Sequence, residues 1–128
     1  MPEDFLLCVL RQLCEGLKIA HACGVVHLDL KPENVFLKKD GSIKIGDFGC
    51  AKILHKSQAN KVVRGKRGSP PYMSPEQIGS QGVTDKADIW SFGVLAYEMM
   101  TGELPFPGEN KDELAKNIQK NKPKRMPN

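Results

Sequence analysis

The chain has 128 residues, 40% hydrophobic and 27% charged, and its 19 Lys and Arg against 15 Asp and Glu leave a net charge of +4. That length fits one ordinary domain with a buried core, and the composition excludes fibrous, collagenous and disordered classes. With no apolar run near the roughly 18 residues of a membrane span, no basic-then-apolar leader at Met1 to Phe5 and no Asn-x-Ser/Thr acceptor, the expectation is a cytoplasmic protein, the nucleus being the alternative compartment.

Leu6, Leu10, Leu13, Leu17 and Ala20 recur at alternating spacings of four and three, which predicts one face of an α-helix. Asp4 suits its N-cap and Gly24 its left-handed stop. The cysteines Cys8, Cys14, Cys23 and Cys50 form no Cys-x-x-Cys and have no His at zinc-finger spacing. They are expected to be reduced thiols, buried or partly so. A polar, Pro-containing loop runs from His27 to Asn34. Val35 and Leu37, then Ile43 and Ile45, alternate with their neighbours on either side of Asp40-Gly41, which predicts a small β-hairpin.

From Asp47 to Glu76 the periodicity dissolves into a long loop with no acidic residue between those two and a run of lysines and arginines. The basic run reads as a solvated face. With no basic helix interleaved with aromatics, nucleic acid is not an expected partner. Asp85 to Met100, apolar all round, predicts a buried central helix. Gly102 to Pro107 breaks it, and Asp112 to Lys120 predicts one more short, exposed helix. The fold class expected is α+β, mainly helical, with a single hairpin.

The chemistry concentrates in His27-Leu28-Asp29-Leu30-Lys31-Pro32-Glu33-Asn34 and in Asp47-Phe48-Gly49. Phosphoryl transfer needs a carboxylate to orient the attacking hydroxyl, a cation near the transferred phosphate and oxygen ligands for Mg²⁺. The first segment supplies all three within one short loop, and Asp47, just beyond a predicted strand, adds a carboxylate suited to that hard cation. Taken alone, Asp29 and Asn34 are also ordinary turn residues. Phe48 and Trp90 read as packing residues, and Cys50 as a small side chain rather than a reactive thiol.

In that order, and followed by Gly68-Ser69-Pro70-Pro71-Tyr72-Met73-Ser74-Pro75-Glu76 and Asp88-Ile89-Trp90-Ser91-Phe92-Gly93, these motifs resemble a eukaryotic protein kinase from about Leu6 to about Lys120. The resemblance implies the helical C-terminal lobe of that fold: helix, catalytic loop, hairpin, activation loop, central helix and a further helix, residues 1–128 forming one partial kinase domain. It implies that Asp29 is the catalytic aspartate and that Lys31 contacts the γ-phosphate of ATP. Asn34 and Asp47 would hold Mg²⁺, and Ser69 would lie beside Asp29 and Lys31. As structural support it implies His27, Phe48, Gly49, Glu76 and Asp88, with Asp88 holding the catalytic-loop backbone and His27 bonding to backbone near Asp47. Lys31 and the Gly-Ser-Pro-Pro-Tyr segment resemble the serine/threonine branch, whose substrate is a protein hydroxyl.

The pattern departs in two places. Position 28 is Leu where most kinases carry an Arg that pairs with an activation-loop phosphate. Ser57 is the lone hydroxyl from Cys50 to Gly68 and thus the candidate phosphosite. Independence from activation-loop phosphorylation is therefore expected. His-Leu-Asp and the Cys after Asp-Phe-Gly are similar to Mos-type kinases, while Asn-Val-Phe-Leu is similar to NIMA-related kinases. Second, no Gly-x-Gly-x-x-Gly and no Val-Ala-Ile-Lys occurs. Gly41 to Gly46 has P-loop spacing, but Asp47-Phe48 follows rather than Lys-Ser/Thr. The N-terminal lobe and the last helices of the C-terminal lobe are thus not expected here, which leaves Glu76 without its arginine partner. Two readings follow: a Ser/Thr kinase fragment that is inactive alone, or a truncated, non-catalytic module that binds protein partners.

Overall fold

The computed structural model describes residues 2–47, 51–53, 68–79, 82–120 and 122–126. The spaced leucines become α1, Glu3–Ala22, with Leu6, Val9, Leu13 and Leu17 buried along one stripe. Its start differs from expectation. Pro2 holds the cap position without a side-chain cap bond, and Asp4 lies in the first turn, where its charge faces the unpaired N–H end of the helix. Gly24, at φ 77°, lets the chain leave α1 through the left-handed region. Cys8, Cys14 and Cys23 are free but exposed rather than buried, because they fall off the leucine stripe. Cys50 lies outside the described residues.

Two small antiparallel ladders follow. β1, Val25–Val26, pairs with β4, Lys52–Ile53. β2, Val35–Leu37, pairs with β3, Ile43–Ile45, with Val35 opposite Ile45 and Leu37 opposite Ile43. At the hairpin turn the Asp40 carboxylate accepts from the hydroxyl and the backbone N–H of Ser42. Those bonds, the hydroxyl foremost, hold its carboxyl below the ordinary Asp range. After the polar stretch come α2, Pro75–Ile78, then α3, Lys86–Thr101, and α4, Lys111–Gln119. Asn110 caps α4 by accepting from the Glu113 N–H.

α3 runs between three apolar clusters and contributes to each. Leu95 joins Val9, Leu13, Leu17 and Leu30. Val94 joins Met73, Ile78, Phe106, Leu114 and Ile118, with Trp90 stacked on Phe106 at 5.4 Å between ring centres. Ala87 joins Val26, Leu28 and Val83. Each fully buried aliphatic side chain stabilises by about 1.5 to 3 kcal/mol. The helix is not buried all round, however: Ile89 and Met100 are about half exposed, at 50% and 49%. Among the described residues no helix is long and apolar enough to cross a membrane.

Candidate active site

Residues 27–34 connect β1 to β2 and are fastened from both sides. Leu30 is fully buried between α1 and α3, so the side chains before and after it, Asp29 and Lys31, turn outward. Below the loop stands Asp88, on the first turn of α3 and completely buried. Its Oδ2 accepts from the His27 backbone N–H and from His21 Nε2, each at 2.8 Å, and its Oδ1 accepts from the Leu28 N–H at 2.9 Å. A buried carboxylate is tolerable only when so supplied with donors. His21 escaped the sequence reading, since nothing local ties a residue near the end of α1 to one on α3.

His27 is equally buried and uses both ring nitrogens. Nδ1 accepts from the Asp29 N–H at 3.1 Å, so Nε2 carries the proton and donates to the Gly46 carbonyl at 2.8 Å. The Gly46 N–H in turn donates to the Asn34 carbonyl at 2.8 Å. The backbone immediately before Asp47 is thereby pinned to the 27–34 loop. Phe48 and Gly49, like Ser57, lie outside the described residues.

Four of the expected site residues converge. The Ser69 hydroxyl donates to Asp29 Oδ1 at 2.8 Å and accepts from Lys31 Nζ at 2.8 Å, while Lys31 Nζ also stands 3.6 Å from Asp29 Oδ2. One hydroxyl thus bridges a cation and a carboxylate whose side chains are 26% and 11% exposed, reachable but largely enclosed. Asn34 Nδ2 donates to the Asp29 carbonyl at 2.7 Å, leaving its amide oxygen as an acceptor. Asp47 is exposed. Leu28 and Asp47 are the two described non-glycine residues at positive φ, 68° and 51°. Such conformations cost on the order of 1 to 3 kcal/mol each and persist where the surroundings over-determine them.

An amide oxygen and a carboxylate suit Mg²⁺, which takes one or two protein oxygens and completes its shell with water and phosphate. Among the described residues no group of three or more His, Cys, Asp or Glu is placed to hold a metal ion by itself. Glu76 is exposed and has no hydrogen-bond or ion-pair partner among them.

Beside the loop, the Tyr72 hydroxyl donates to Glu98 and the Ser91 hydroxyl donates to the Tyr72 carbonyl at 2.6 Å. Burial first, and then the Glu98 carboxylate, push the Tyr72 phenol well above its ordinary value, with Glu33 adding to the effect.

A sequence model of the protein kinase domain matches residues 1–127. Ribosomal protein S6 kinase alpha-1 of Rattus norvegicus is 44% identical over 113 residues, which is 87% of this chain and 15% of that protein. Serine/threonine-protein kinase Pkn1 of Myxococcus xanthus is 44% identical over 109 residues, 79% of this chain and 15% of its own length. Serine/threonine-protein kinase 17A of Oryctolagus cuniculus is 42% identical over 113 residues, 86% of this chain and 28% of its own length. The chain therefore spans well under a third of these relatives.

Proposed function

The chain belongs to the protein kinase family, and from that premise we propose that it is of the serine/threonine class and that residues 27–47 and Ser69 direct the γ-phosphate of Mg-ATP to a protein Ser or Thr hydroxyl. The observation that carries this reading is the bridge from Lys31 through Ser69 to Asp29. A carboxylate so held is pre-oriented to accept a hydrogen bond from an incoming hydroxyl and to draw its proton as the new P–O bond forms. Lys31 presents its ammonium on the same side as Asp29, where negative charge on the transferred group would develop. Asn34 and Asp47 are the residues that would hold Mg²⁺, which supplies charge neutralisation on the phosphates when bound.

Catalysis of this class comes from positioning and electrostatics rather than covalent chemistry. The 128 residues contain no Gly-x-Gly-x-x-Gly, so by themselves they offer no cradle for the nucleotide's phosphates. The same proposal therefore has the isolated 128-residue chain inactive; separately, we propose a cytoplasmic or nuclear site of action.

The test is phosphate transfer from labelled ATP to a protein substrate by the full-length protein and by its Asp29→Asn variant. Loss of a carboxylate base is expected to lower kcat by roughly 10²- to 10⁴-fold, with Mg-ATP affinity little changed. Turnover of Asp29→Asn at the wild-type rate would overturn the reading.

A further inference from the structure

Leu28, which precedes Asp29, is held at both of its backbone polar groups by side chains distant in sequence. Its carbonyl accepts from Gln77 Nε2 at 3.0 Å across 49 residues. The Leu28 N–H goes to Asp88 Oδ1. The Leu28 side chain, 2% exposed, packs with Val26, Val83 and Ala87. Gln77 itself is 1% exposed, so its carboxamide makes this bond out of water's reach, where losing a donor is felt most.

Gly68 packs on the same carbonyl. It sits at φ +101°, and a Cβ there would stand 2.3 Å from the Leu28 oxygen and 3.0 Å from Gln77 Nε2. The next residue, Ser69, is the one bonded to Asp29. Gly68 and Gln77 therefore converge on one carbonyl, one bond away from the proposed catalytic residue.

Resting on the reading of Asp29 given above, we propose that Gln77 is a positioning residue, a neutral latch that ties the end of the 68–78 segment to the Leu28–Asp29 peptide with no charged partner at position 28. Leu28 and Gln77 make apolar and uncharged contacts that exist without modification. Capping of α2 alone does not account for Gln77. The box with Ser74 uses the Gln77 backbone N–H and side-chain oxygen, and a Glu would supply both. The donor on Nε2 is what the Leu28 carbonyl requires and what a Glu lacks.

The test uses the full-length protein with Gln77→Glu, Ser74→Ala, Ser57→Ala and Asp29→Asn. Gln77→Glu keeps shape and cap but, when ionised, turns a carboxylate toward a carbonyl. It is expected to lose about tenfold or more in kcat near pH 8 with KM for ATP within about twofold. It should regain activity relative to wild type as the pH falls toward about 6, where a buried carboxyl takes up a proton and donates again. Ser74→Ala is expected to lower the melting temperature while sparing kcat, and Ser57→Ala to keep its turnover.

Wild-type kcat in Gln77→Glu at every pH, or an equal kcat loss in Ser74→Ala, or a dead Ser57→Ala, would each overturn the latch. Should Gln77→Glu fail to fold, exchange of the side-chain amide protons in the wild type decides. Those of Gln77 should exchange at least about tenfold more slowly than those of exposed Gln119, and equal rates overturn the proposal. An active Asp29→Asn instead sinks the catalytic reading; a dead Asp29→Asn beside an unaffected Gln77→Glu sinks the latch alone.

Discussion

Asp88 and Trp90 stand two residues apart on α3 and lead into regions built on different terms. On the Asp88 side apolar packing is joined by directional contacts: a buried carboxylate takes three N–H donors, two of them from the loop that carries Asp29. On the Trp90 side the contacts are apolar, with the indole on Phe106 and Ile118 fully buried beneath. There the indole Nε1 is the one buried side-chain polar atom without a partner among the described residues. Directional bonds fix where a side chain points, because each tolerates only a narrow range of distance and angle. Apolar burial stabilises nearly in proportion to area and specifies geometry less sharply. The region proposed to do chemistry is the one that adds the first kind.

The sharpest way to break that contrast is Asp88→Ala. It leaves three donors buried without an acceptor, and a loss of about 3 kcal/mol or more is expected in chemical denaturation, together with loss of turnover in the full-length protein. Stability within measurement error of wild type would contradict the anchoring described. Next comes Ile118→Ala, expected to cost about 2 to 4 kcal/mol through lost burial and a cavity, while the protein that remains folded keeps its kcat. An equal fall in kcat per folded molecule would show that the two regions are not separable.

The smallest effect is at Tyr72, where both regions meet, and it shows in the pH dependence. Burial and the Glu98 carboxylate hold its phenol above the ordinary tyrosine value of 10.0 in the folded chain. The folded state therefore holds that proton where the unfolded chain has begun to release it. This contribution to stability is fully present below about pH 10 and is lost as pH rises toward the folded value. Tyr72→Phe, which has nothing to ionise, should show a shallower alkaline decline in melting temperature than wild type. Identical slopes would argue against the Glu98 bond.

Much of the site was legible because its residues are close in sequence. Asp29, Lys31 and Asn34 lie within one short loop, so their spacing alone marked them as candidates. The hairpin was legible from its alternation around Asp40-Gly41, and α1 from its leucines, since both periods follow from backbone geometry alone. Contacts between distant segments were not readable from pattern or spacing: those of Ser69 and Asp88 were expected from the resemblance alone, and those of His21 and Gln77 not at all. The ladder of Val25–Val26 with Lys52–Ile53 is too short to show a period. The exposure of Cys8, Cys14 and Cys23 went against their residue type, which favours burial, because the leucine stripe had already claimed the inward face. Ile89 and Met100 are as apolar as their buried neighbours, yet no described element covers them.

What the 128 residues determine by themselves is local: which segments coil or extend, where the chain turns, and which functional groups travel together on one loop. What only the tertiary structure decided is which distant group answers a local one where no motif announced it: His21 at Asp88 below the loop, and Gln77 at the Leu28 carbonyl. Periodicity is a property of neighbouring peptides and is written in order along the chain. A hydrogen bond across 49 residues exists only once packing has brought both partners to about 3 Å of each other, out of water's reach.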